Sequence, residues 1–358
     1  MRLGPSSRPP SRPPRRRTPV TGARLAILAL SIGALGFGCG RDPAGVGAGV
    51  PDSGSAPRLR VVCTVGMVAD VVRHVAGDRV EVVGLVPTGV DPHLYAPTRS
   101  DLARVRDADL VFSNGLRLEG RMTDALDRVA AAGTPVVPVA ERIAVGDLLA
   151  AEEHEGAPDP HVWMDPRLWA QAVEAIRDAL ADEDPDHATI YRENADAYLE
   201  TLAAVDAYAA EVLASVPADR RVLITSHDAF NYFGRRFDFE VLGIQGISTE
   251  SEAGVRDIEA LVDLLVDRGI AAVFVESTVG NRHVEALLVG ARAQGHDVSI
   301  GGSLFSDAMG ETGTYEGTYL GMIDHNATTV ARGLGGIAPS GGMRGRLAAS
   351  GDAAEASR

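Results

Sequence analysis

Apolar residues in this chain fall into short unbroken runs, separated by stretches in which they recur every three or four positions. The runs at 59–65, 80–86, 109–113 and 135–139 are rich in Val and bounded by polar or turn-forming residues, as buried strands are. Helical spacing covers about 69–76, 100–106 and 120–132 between and after them. The second half repeats the alternation, with strands expected at 221–225, 240–244, 271–276 and 297–301 and helices at about 229–236, 252–268 and 282–294. Strands alternating with helices predict parallel sheets under helical cover. Two such sets predict an α/β fold of two lobes, 58–184 and 217–335, each a mainly parallel sheet flanked by helices.

The join between the sets has its own pattern. From Pro185 to Val216 no internal Gly or Pro interrupts a helical spacing that includes Ile190, Tyr191, Ala195, Tyr198, Leu199, Leu202, Val205, Ala209, Val212 and Leu213. As one linking backbone helix, 185–216 would run roughly 48 Å at about 1.5 Å per residue; two packed helices would share the same spacing. A shorter helix precedes it, with Asp165 as N-cap and Pro166 at its first position.

The first 38 residues stand outside this alternation. Seven Arg precede or enter an apolar run from Leu25 to Phe37, and no acid occurs before Asp42. A basic stretch followed by an apolar run of this length is a secretory signal and too short for a spanning helix. It ends at Gly38-Cys39, which resembles a bacterial lipoprotein cleavage site and makes Cys39 the expected lipid anchor, although Leu35 lies one position further upstream than the usual large apolar residue. Residues 39–57, rich in Gly, Pro, Ser and Ala, read as a flexible tether, and 336–358 as a disordered tail.

Removing those seven Arg and no acid moves the formal charge from −15 to −22. So acidic an exported chain does not suit nucleic acid or an anionic lipid surface as partner, while a cationic ligand is compatible. Cys63 is the one cysteine besides Cys39 and sits in an apolar run, so a buried thiol is expected and no disulfide within the mature chain.

Candidate chemistry begins with a repeated tripeptide. His is scarce, yet Asp-Pro-His occurs at 91–93 and again at 159–161, each time in a loop. Each Pro restricts its own backbone and drives the preceding Asp towards an extended conformation, so each imidazole leaves a stiff loop in a limited range of directions. His227 follows the strand expected at 221–225, and Asp307 follows the one at 297–301 through a short Gly-Ser-containing loop. Open α/β sheets bind ligands beyond the carboxyl ends of their strands, which is where these residues fall. Three imidazoles and a carboxylate suit zinc or manganese and are too rich in nitrogen for calcium or magnesium. Four protein ligands leave little room for an activated water, which favours binding over hydrolysis. Plainer roles exist for single members: His227 could bond a backbone group, and Asp307 could cap a turn. Glu276, ending an apolar strand, is a reserve ligand or a partner for one of the others. His74, His187, His283 and His296 read as surface residues, His325 as a packed structural one, and His154 as part of an acidic loop.

The segments VDPHLYAPTRSDLARVRDADLVFSNGLRLE, DPHVWMDP, TSHDAFNYFGRRF, QGISTESEAG, VFVES and LFSDAMGETGTYEGTYLGMIDHN together resemble the zinc/manganese solute-binding proteins of ABC transporters, the TroA-like (cluster A-I) receptors. The resemblance runs from about Arg60 to Leu334, with the motifs in family order. It implies two α/β lobes joined by one long helix, and His93, His161, His227 and Asp307 as ligands of one divalent transition metal ion, Zn2+ or Mn2+. It further implies a non-enzymatic monomeric receptor, periplasmic or on the outer face of the cytoplasmic membrane, with an ABC permease and its ATPase as partners. Zinc-specialised members often carry a long His-rich loop before the second ligand and a disulfide in the second lobe; here that loop is AEEHEGAPDP. Manganese-specialised members often have Glu where this chain has His227, so either metal fits. A secreted zinc hydrolase would need an open coordination position and a general base, and no HExxH is present. A surface adhesin would keep its partner after loss of all four ligands.

Overall fold

The structure, a computed structural model, describes residues 58–151 and 156–348. The expected signal, tether and Cys39, together with His154 and residues 349–358, lie outside the described residues. The first lobe contains β1 (Leu59–Cys63), α1 (Gly66–Ala76), β2 (Val80–Gly84), α2 (Arg99–Arg106), β3 (Leu110–Ser113), α3 (Thr123–Ala132), β4 (Val136–Pro138) and α4 (Pro166–Glu183). Its strands form one parallel sheet in the order β2-β1-β3-β4, with Val61 opposite both Val82 and Leu110. Residues of β1 face both ways into apolar surroundings. Val61 and Cys63 join the main core and Val62 the layer with Leu85, Val111, Met122 and Leu126. Burial on both faces is why β1 and β3 read as unbroken apolar runs, while the edge strands β2 and β4 are only partly buried.

α5 (Ala188–Ala214) is a single helix, entered through a 3₁₀ turn at Pro185–His187. Its 27 residues span roughly 40 Å at about 1.5 Å per residue. Tyr191, Ala195, Tyr198, Leu202, Val205, Ala209, Val212 and Leu213 are buried, and Ile190 and Leu199 lie half-buried at the margin of that face.

The second lobe contains β5 (Val222–His227), α6 (Asn231–Phe237), β6 (Glu240–Gln245), α7 (Val255–Arg268), β7 (Ala272–Glu276), α8 (Arg282–Ala293), β8 (Ser299–Leu304) and α9 (Tyr319–Gly333). Its strands pair as two parallel ladders, β5 with β6 and β7 with β8, and β5 lies beside β7. The last strand starts and ends later than its apolar residues suggest. Gly301 and Gly302 continue it because Phe274 packs where a Cβ on Gly301 would project, and a Cβ on Gly302 would collide with the Thr329 methyl.

α9 was not among the expected helices. Asp324, Asn326 and Thr328 interrupt its apolar spacing, yet all three are buried because each has a partner. The Asn326 side chain accepts from Phe305 N–H and donates to Phe305 C=O, at 2.9 and 2.7 Å. Asp324 accepts from Tyr315 Oη, Thr328 Oγ1 and Met343 N–H. That last bond corrects the expectation of a disordered tail from 336: through Ala348 the segment lies against the second lobe, with Ile337 N–H also donating to Ser215 Oγ at 2.7 Å.

α5 packs on α1 and α4 of the first lobe and on α9 of the second, and one apolar core runs through all of them. Trp169 of α4 stacks on Tyr319 of α9 at 5.6 Å. Tyr319 N–H donates to Asp70 of α1, and its hydroxyl to Trp163 C=O at 2.7 Å. Among the described residues no helix is long and apolar enough to cross a membrane. Replacing Leu202, 2% exposed in the middle of this core, with Ala should lower the unfolding free energy by about 2–5 kcal/mol in chemical denaturation.

Candidate metal site

His93, His161, His227 and Asp307 meet at one buried point, with their ligand-type atoms all within 4.8 Å of one another. Each arrives on backbone that local chemistry holds. In both Asp-Pro-His loops the Asp side chain accepts the N–H of the His two residues on, at 2.8 Å for Asp91–His93 and 2.9 Å for Asp159–His161. The Asp is therefore more than the extended residue before Pro; it closes an Asx turn that aims the imidazole. Asp159 also takes His161 Nδ1–H at 2.8 Å, fixing the tautomer that turns Nε2 inward.

His227 is the last residue of β5. Glu276, the last residue of β7, takes its backbone N–H at 2.8 Å and its Nδ1–H at 2.5 Å. Glu276 is thus not a fifth donor in the cluster; it orients His227 so that Nε2 faces Asp307. Asp307 follows β8, and Asn326 clamps Phe305 two residues earlier. The plainer role of a turn cap is not the one Asp307 takes, since its oxygens accept no hydrogen bond among the described residues.

The first loop of the second motif is held from several sides. Asn114 Nδ2 donates to Pro160 C=O, and Glu119, buried, accepts from Asn114 N–H, Gly115 N–H and Thr64 Oγ1. From the second lobe, Tyr232 Oη donates to Asp159 C=O at 2.9 Å and Asn231 Nδ2 to Asp159 Oδ2 at 3.2 Å. Trp163 Nε1 donates back to Ser306 C=O at 3.0 Å. Asn231 and Tyr232 carry no sequence signal because their partner, Asp159, lies more than seventy residues away, and Glu119 carries none because its role as an acceptor shows only once the loop has folded around it. An Asp two residues before each His was the one local signal available.

Asp307 lies 3.3 Å from His227 Nε2, 3.4 Å from His161 Nε2 and 3.6 Å from His93 Nε2, and His93 and His161 Nε2 are 3.3 Å apart. Ligands at about 2.0–2.1 Å from a tetrahedral ion stand roughly 3.3–3.4 Å from each other. Both Asp307 oxygens and His227 Nε2 are buried without a hydrogen-bond partner. Buried polar atoms are rarely left so, since an unmet carboxylate costs several kcal/mol. The donor set, three nitrogens and one hard oxygen, can hold one borderline divalent cation.

The same enclosure shapes the protonation of the cluster. Burial opposes charge on His161, but the Asp159 and then the Asp307 carboxylates outweigh it and lift its pKa to about 9. Burial likewise opposes charge on His227, and Glu276 and Asp307 raise it well above the usual imidazole value. His93 has no such Asp partner at its ring, and burial brings it down to about 4 although Asp307 pulls the other way. Asp307 is driven well below the carboxylate range, burial being overcome by His227 and His161.

The remaining imidazoles stay apart from the cluster. His74 and His187 bond Asp70 C=O and Asp184 on their own helical turns, and His296 donates to Ile270 C=O. His283 is buried beside Glu252 at 3.1 Å rather than solvated, because α8 turns that face towards the loop before α7. His325 packs on Phe305 and donates to Ser303 C=O. Cys63 is a free thiol at full burial, which pushes its pKa up to about 12 and leaves it inert.

The family described as zinc-uptake complex component A, periplasmic (ZnuA), matches residues 61–333. The chain belongs to this family. Within it, the manganese-binding lipoprotein MntA of Bacillus subtilis is 43% identical over 297 residues, covering 83% of this chain and 94% of that protein. The zinc-binding protein TroA of Treponema pallidum is 43% identical over 80% of this chain and 92% of its own length. Its solved structure, a periplasmic zinc-binding protein, superposes with a TM-score of 0.76 over 78% of this chain and 99% of that one. A metal ABC transporter substrate-binding lipoprotein, SsaB of Streptococcus sanguinis, is 29% identical over 87% of this chain and 97% of its own. ZnuA-family membership thus spans the two lobes, the linking helix and all four converging residues.

Glu276→Ala leaves a buried imidazole and a backbone N–H without an acceptor, and should cost about 3–5 kcal/mol in chemical denaturation of chelator-treated protein.

Proposed function

We propose that this protein is an extracytoplasmic receptor that captures one divalent transition metal ion, Zn2+ or Mn2+, and delivers it to an ABC permease with its ATPase. His93, His161, His227 and Asp307 are the four ligands. The observation that carries this reading is the pair of buried Asp307 oxygens, free of any hydrogen-bond donor and facing three inward Nε2 atoms. Bonds from Asp159 and Glu276 to the outer nitrogens leave the lone pairs of His161 and His227 available to the ion, and both acceptors raise ligand basicity. The ion is cargo in this reading, with four protein donors to hold it and little room left for an activated water.

Family membership supports placement outside the cytoplasm, and relatives named for zinc and for manganese leave both ions within reach of this donor set. Zinc binds most N/O sites more tightly than manganese, so which ion travels depends on supply and on the permease. Cys39 is the lipid attachment in this reading, the acidic mature chain works as a monomer, and residues 58–184 and 217–335 are its lobes.

Alanine at His227 or Asp307 should weaken Zn2+ binding by at least about a hundredfold, beyond the 10–100-fold typical of outer partners, in competitive chelator titration. Affinity equal to the parent's in both variants would remove the assignment.

Protons compete with the ion for the same nitrogens. With His161 held near 9 and His227 well above its usual value, apparent affinity should climb with pH from the acid range through neutrality. Metal retained equally at pH 4.5 and 7.5 in equilibrium dialysis would contradict the three-imidazole site.

A further inference from the structure

The segment QGISTESEAG supplies none of the four converging side chains, yet it crosses the cleft. It leaves the end of β6, and Gln245 Nε2 donates to Ser251 C=O at 3.2 Å, closing it into a compact loop. At its tip Thr249 is 8% exposed, although its neighbours Glu250 and Ser251 are exposed. The Thr249 hydroxyl donates to Asp91 Oδ2, and the other oxygen of the same carboxylate takes His93 N–H. A single carboxylate thus joins a second-lobe hydroxyl to the backbone of a first-lobe ligand.

His93 differs from its partners in how it is tied across the cleft. The His161 loop makes four hydrogen bonds to the second lobe, through Asp159 C=O, Asp159 Oδ2, Trp163 Nε1 and Trp163 C=O. His227 and Asp307 belong to that lobe. By its bonds His161 is fixed with them, although by chain position it belongs with His93. For the His93 loop the cross-cleft hydrogen bonds are Thr249–Asp91 and an exposed contact between the Thr88 and Thr312 hydroxyls at 3.4 Å. Beside that contact a cleft of about 250 Å³, lined in part by Val65, Val90, Met309 and Thr312, reaches Asp307.

We propose that Thr249 is a positioning residue for metal retention: through Asp91 it latches His93 over the ion, and its release is the step that lets the ion leave. This rests on the four-ligand reading above. His161, His227 and Asp307 form the standing part of the site, and His93 is the removable lid. Breaking the Thr249 hydroxyl contact frees the 87–93 loop to turn outward, opening the narrow side of the cleft, while the other three donors keep their own supports.

The test is release of Zn2+ from the full chain on rapid mixing with excess chelator. Thr249→Val keeps the shape and removes the donor; release should quicken about tenfold with the association rate nearly unchanged, and Thr249→Ser should return release to within twofold of the parent. The thermal midpoint of the metal-free protein is read in parallel. Parent-like release from Thr249→Val overturns the latch even if that midpoint falls, as does a Thr249→Ser variant as fast as Thr249→Val. A parent protein that holds no Zn2+ would instead refute the four-ligand reading, so the two failures are told apart.

Discussion

A buried carboxylate with no hydrogen-bond donor among the described residues is the constraint around which this molecule is arranged. Asp307 would be an expense of several kcal/mol in an ordinary core, and here it is surrounded by three imidazoles that face it at 3.3–3.6 Å. The surrounding bonds all act to preserve that arrangement. Asp159 and Glu276 spend their charge on the outer nitrogens of His161 and His227, Asn326 fixes the approach to Asp307, and Glu119 secures the loop whose amide supports Pro160.

Strand ends from both lobes reach one point because the lobes share a core. α5 by itself would be a long rod with a partner on either side. α9 makes it a joint, since this second-lobe helix packs on α5 and reaches α1 and Trp163 of the first lobe through Tyr319. Large rotation of one lobe on the other would tear this packing. Motion is therefore cheapest where contacts are fewest and most polar, at the loops along the cleft mouth.

Much of this was legible in the chain. Val-rich runs located seven of the strands to within a residue or two, because β-branched residues suit parallel strands, and β3 and β5, buried throughout, admit little else. Asp-Pro-His, occurring twice, pointed to His93 and His161, and position after a strand pointed to His227 and Asp307. What escaped notice has a common cause. Asp324, Asn326 and Thr328 made α9 look polar, since burial of a polar side chain depends on partners distant in sequence, here Tyr315, Phe305 and Met343. The ordered segment through Ala348 was hidden for the same reason. His283 looked solvated because nothing local shows which face α8 turns inward. Chain order divides the four clustered side chains two and two, as the lobes do, while cross-cleft hydrogen bonds tie the His161 loop to the lobe of His227 and Asp307.

The core that runs unbroken from the first lobe through α5 into α9 also limits what a membrane partner can perceive. A receptor built on a wide hinge announces its cargo by changing its silhouette. A core this continuous opposes such a change, so the features of this protein that can differ cheaply between two states are the side chains and loops at the rim of the cleft.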